Sequence, residues 1–106
     1  MSILFYDHLV NKEEIILLIE STEDPENHKN KAKQLVDDII HHEIINFILE
    51  KLDSHKHKTF LTLVEERPYD PEIIVFVQTH THPEIESELK QHAGTVVEQI
   101  KKDFLS

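Results

Sequence analysis

Asp70-Pro71-Glu72-Ile73-Ile74-Val75-Phe76-Val77 is the stretch whose reading separates two folds. Its second half is rich in β-branched and aromatic residues, which favour strands. Thr59-Phe60-Leu61-Thr62-Leu63-Val64 has the same character. Periodicity alone lets the two pair as a hairpin through residues 67–70, giving an α+β fold with strands at 59–64 and 73–79. The first half of the stretch points the other way. Asp is a strong N-cap, Pro is tolerated at the first helical position, and Glu in the first turn meets the positive end of the helix dipole. A two-stranded ribbon on its own is also weakly stable. The helical reading is preferred, and the expected fold class is all-α.

The same opening recurs at Asp24-Pro25-Glu26 and at His82-Pro83-Glu84. Thr81 with Glu84, and Asn11 with Glu14, have capping-box spacing, and Asp53 is placed to cap a helix starting at Ser54. Between these openings the apolar residues follow a helical period. Ala32, Leu35, Val36, Ile39, Ile40, Ile44, Phe47, Ile48 and Leu52 form one stripe. Ile85, Leu89, Ala93, Val96, Val97, Ile100, Phe104 and Leu105 form another, interrupted by Gly94. The resulting map is an N-terminal helix or arm over residues 2–9, then helices near 12–22, 25–52, 54–66, 71–80 and 83–105. Short connections make neighbours antiparallel, so residues 1–106 read as a single bundle of five to six helices with one long helix at 25–52.

Composition removes several classes of function. The chain has 106 residues, 21 acidic against 11 basic, and a formal net charge of -10. Direct nucleic-acid binding through phosphate neutralisation needs clustered Lys and Arg, which this balance lacks. With no Cys there is no disulfide framework, thiolate metal site or cysteine nucleophile, and a single Gly leaves no phosphate-cradling loop. Uninterrupted apolar runs stop at five residues, in Ile15-Ile16-Leu17-Leu18-Ile19 and Ile73-Ile74-Val75-Phe76-Val77. A membrane span needs about 20. The N-terminus lacks a basic leader, so the expected compartment is the cytoplasm.

Nine histidines are the obvious place to seek chemistry. His41-His42-Glu43 invites comparison with di-iron bundles, but the positions one turn later are Ile44, Ile45 and Asn46, which hold no ligand pair. Asp37 with His41, and Asp38 with His42, read as i,i+4 pairs on a solvated face. The two His-x-His pairs are more suggestive. His55 and His57 open one helix, and His80 and His82 close the next. An up-and-down course brings all four imidazoles to one end of the bundle, where they are candidate ligands for Zn²⁺, Ni²⁺ or Cu²⁺. Helical residues two apart point about 200° away from each other, so convergence requires each pair to leave regular helix.

No catalytic constellation stands out. Glu13-Glu14, Asp37-Asp38 and Glu65-Glu66 are pairs expected in so acidic a chain, and Ser54 beside His55 is a helix-start residue. The expectation is a protein that is not an enzyme. The two five-residue apolar runs are apolar on every side, which suits either a wrapped central helix or an interface with a second copy or another protein. Ile16, Leu17, Ile74 and Phe76 in those runs, with Ile3 and Phe5 at the N-terminus, are candidate interface residues. Ile3-Leu4-Phe5-Tyr6 either caps the bundle or docks on a partner.

From Glu43 onward the pattern is Ile44-Ile45-x-x-Ile48-Leu49-x-x-Leu52, then Phe60-Leu61-x-Leu63, Asp70-Pro71-Glu72 with Phe76-Val77, and Pro83-x-Ile85. Over about residues 43–105 this resembles a family of small all-helical domains of unknown function from candidate-phyla bacteria. The resemblance implies helix rather than strand at 71–80 and brings no activity or catalytic residues. Three functions are weighed: a protein-interaction or regulatory module, a metal-binding module at the histidine-rich end, and a pH-responsive element driven by histidine protonation. The interaction module is preferred.

Overall fold

Helix α1 (Glu13–Glu20) starts where Asn11 supplies a side-chain acceptor: its Oδ1 takes the Glu13 backbone N–H at 3.1 Å. Glu14 does not close the expected capping box; it is hydrogen-bonded to Lys101, which holds its carboxyl below the usual range. The structure is a computed structural model that describes residues 4–105. Helix α2 (Glu26–Lys51) follows the second Pro-Glu opening, and its 26 residues span about 39 Å at 1.5 Å per residue. Helix α3 (Ser54–Glu66) begins immediately after Asp53. Helix α4 (Glu72–His80) opens with Asp70 Oδ1 accepting the Glu72 backbone N–H at 2.9 Å. Helix α5 (Ile85–Leu105) completes the chain.

The described residues are all-helical, with no strand among them. The hairpin alternative at 59–64 and 73–79 is therefore not the fold: both segments are helix, with Phe60, Val64, Ile73, Ile74 and Val77 pointing into the core. A local opening motif and a buried apolar face outweigh strand propensity, which is a weak prior once packing is satisfied.

Helix α2 is the spine. Val36, Ile40, Ile44 and Ile48 form its buried stripe, and α5 is its main neighbour. His92 of α5 lies beside Phe47 and Glu43, while Thr95 to Asp103 pass Ile39, so α5 runs antiparallel to α2. Helix α1 is also antiparallel to α2, because Lys12 pairs with Asp37 and Glu20 pairs with Lys33. Helices α3 and α4 pack on each other, and α4 packs on α5. The body measures 47 × 25 × 20 Å, its long axis exceeding the length of α2 by little.

Residues 4–9 form an arm with a short 3-10 turn at Asp7–Leu9. The arm caps the bundle. Phe5 stacks edge-on against Phe60 of α3, with ring centroids 6.4 Å apart, and its backbone N–H donates to Pro68 O at 2.8 Å. Tyr6 is only 2% exposed and Leu9 is buried. His8 reaches Glu86 of α5 at 3.3 Å. One short segment thus touches α2, α3, the α3–α4 connection and α5.

No helix among the described residues is long and apolar enough to cross a membrane. No buried side-chain nitrogen or oxygen among them lacks a hydrogen-bond partner.

Candidate functional site

Two surfaces flank the core stripe of α2. On one flank the N-terminal arm closes over the helix. The Tyr6 hydroxyl and His41 Nδ1 share a hydrogen bond of 2.7 Å. Burial pushes the Tyr6 phenol pKa up, with the charges of Asp7 and Asp37 adding to the effect. Burial likewise holds the His41 imidazole below its ordinary value; Asp38 opposes that shift and His42 reinforces it. A cavity of about 300 Å³ beside the pair is lined by Leu4, Asp7, Lys12, Asp37 and Asp38 among others. Its carboxylates are engaged. Asp7 accepts the Leu4 backbone N–H, Asp37 pairs with Lys12, and Asp38 accepts from Gln34. The i,i+4 reading of Asp37 with His41 is corrected here: His41 faces the arm rather than solvent, because Tyr6 covers it.

On the other flank the described chain covers α2 only in part. Leu35 is 59% exposed and Ile39 is 37% exposed, one turn apart on the same face. Ile39 joins Val96 and Ile100 of α5 in a shallow groove of about 320 Å³. Phe104, one turn beyond Ile100, is exposed as well. Glu43 and Asp103 stand on the groove walls, and His92 stacks on Phe47 with centroids 4.6 Å apart. Leu35 and Ile39 belong to the apolar stripe of α2 in sequence; their exposure is visible only once α5 is placed.

The four histidines expected to converge have separate occupations. His57 Nε2–H donates to the carbonyls of Leu49, at 2.7 Å, and Leu52, at 3.0 Å, satisfying the C-terminal end of α2. His80 lies against the Phe76 ring at 4.5 Å. His82 stands between Glu84 and Glu88, at 3.4 and 3.2 Å. His55 is exposed on the first turn of α3. Among the described residues no group of three or more His, Asp or Glu side chains is placed to hold a metal ion. The reason is local: His55 and His57 both lie within regular α3, where residues two apart diverge.

The candidate interface residues also divide. Phe5 and Ile74 are core residues, because the arm and α4 each turn one face inward. Ile16 and Phe76 are half-buried, and Leu17 is 67% exposed. Ile3 lies outside the described residues. No family model, curated protein or solved structure matches the chain.

Proposed function

We propose that this chain is a non-catalytic protein-interaction module of the cytoplasm, and that it meets its partner through the open flank of α2 and α5. The observation that carries the reading is the exposure of Leu35 and Ile39 beside the Val96–Ile100 groove wall. Isolated exposed apolar side chains are ordinary, but two of them one turn apart, the second lining an apolar groove, make a patch that a partner can cover. Complete burial of an aliphatic side chain contributes about 1.5–3 kcal/mol, so two or three such anchors supply a useful share of a micromolar affinity. The closed flank supports the same reading. Its titratable groups hold one another and the arm in place, which is the economy of a structural joint.

The test is affinity capture from the cells that produce the protein, comparing the natural chain with a Leu35→Ser, Ile39→Ser double variant. A protein retained by the natural chain and lost with the variant is expected, with capture weakened at about 0.5 M salt if acidic rim residues assist. Equal capture by both chains, or no protein enriched over an unrelated acidic bundle, overturns the reading.

A further inference from the structure

We infer that the partner element seated on this flank is a cationic amphipathic helix lying lengthwise in the α2/α5 groove, an inference that rests on the interaction reading above. The shape sets the first constraint. The groove runs between two antiparallel helices, and its α5 wall extends from His92 to Asp103. Those eleven steps cover about 16 Å, the length of three helical turns. An added strand needs a sheet edge, and there is no strand among the described residues. A helix presenting apolar side chains at i, i+4 and i+7 matches a floor made by Ile39, Val96 and Ile100.

Charge sets the second constraint. No Lys or Arg lines the groove, whereas carboxylates stand near both ends of it, Glu43 beside His92 and Asp103 at the far end. The Glu43 carboxylate is 3.6 Å from His92 Nε2, too long for a good hydrogen bond, and so keeps acceptor capacity for a cation. Asp103 accepts from Gln99 Nε2 at 3.1 Å, which fixes its carboxylate on the wall. The chain as a whole carries -10. An occupant with Lys or Arg beside its apolar face is drawn by Glu43 at one end of the groove and by the net charge of the chain. A second copy brings the same acidic walls and the same net charge, so like charges meet. Nucleic acid and anionic lipid are repelled for the same reason.

The probe is a fluorescein-labelled synthetic helix of Leu and Lys, with Leu at i, i+4 and i+7, and a matched helix of Leu and Glu. Anisotropy titrations use the natural chain, the Leu35→Ser, Ile39→Ser double variant, and Leu17→Ser as a control at an exposed apolar site on α1. Circular dichroism confirms that the variants are folded. The Leu/Lys helix is expected to bind the natural chain and Leu17→Ser alike, and the double variant at least about tenfold more weakly. The Leu/Glu helix is expected not to bind. Equal affinity for the natural chain and the double variant shows diffuse charge attraction and overturns the inference. So does failure of the Leu/Lys helix to bind, or a dimer in sedimentation velocity that the double variant dissolves. If the probe fails while cellular capture still depends on Leu35 and Ile39, the interaction reading stands and only the cationic helix falls; if capture fails too, both fall.

Discussion

The two flanks of α2 are built from the same helix and end differently. On the His41 side, residues 4–9 fold back, with Tyr6 buried against His41 and Phe5 buried against Phe60 of α3. On the Ile39 side the described chain supplies no such cover, and Leu35 stays 59% exposed. Here the chain provides a lid on one flank and leaves the other largely open. The contrast separates residues whose loss should unfold the protein from residues whose loss should leave the fold intact and, on the proposed function, weaken binding.

Phe5→Ala breaks the comparison hardest. It empties a fully packed aromatic site on the closed flank and is expected to cost about 3–5 kcal/mol in urea unfolding. A loss below about 1 kcal/mol means that the arm is not a working lid. Tyr6→Phe removes only the hydroxyl that pairs with His41, and a loss of about 1 kcal/mol is expected in the same assay. Gly94→Ala touches neither flank. Nothing lies within 4 Å of the position its Cβ would take, so α5 should gain roughly 0.8–1 kcal/mol from helix propensity alone. An unchanged or lowered melting temperature refutes that expectation.

Acid acts on the closed flank in a definite direction. Burial keeps the folded-state pKa of His41 below its ordinary value, so on acidification the unfolded chain takes up its proton first. This contribution to stability is present above the ordinary histidine range and is lost as pH falls through it towards the lower folded pKa. The neighbours facing the ring are Tyr6 from the arm and Asp37, Asp38 and His42 from α2. Comparing the natural chain with His41→Asn from pH 7.5 to 5 cancels the other histidines; the natural chain should lose more stability, and parallel curves exclude the effect. The smallest effect belongs to the open flank. Leu35→Ser should change unfolding free energy by no more than about 0.5 kcal/mol, since that side chain is 59% exposed. A larger loss shows that this flank is covered by its own chain after all.

What was legible in the sequence was what is decided within one helical turn. The expected helices at 54–66 and 71–80 meet Ser54–Glu66 and Glu72–His80; Asp70 accepts the adjacent Glu72 backbone N–H at the second, whereas Asp53 makes no side-chain cap at the first. Even at this range a competing partner redirects a residue. Thr81 was placed to open α5, yet its hydroxyl donates to Val77 O at 2.7 Å and closes α4. The candidate site was less legible. Tyr6 and His41 are 35 positions apart, and no spacing rule links them. The His-x-His pairs had a visible pattern without a visible geometry, since the backbone within α3 turns His55 and His57 apart.

The amino-acid sequence by itself determined an acidic all-helical chain, its helix starts, and the stripe of α2 that had to be buried, because capping, dipole and periodicity are local. The tertiary structure alone decided which residues of that stripe were covered and which, Leu35 and Ile39, were not. Exposure depends on where the arm and α5 come to lie, and that is set by packing between residues far apart in the chain. The same placement turned His41 from a surface histidine into a half-buried hydrogen-bond partner and left Leu35 and Ile39 exposed.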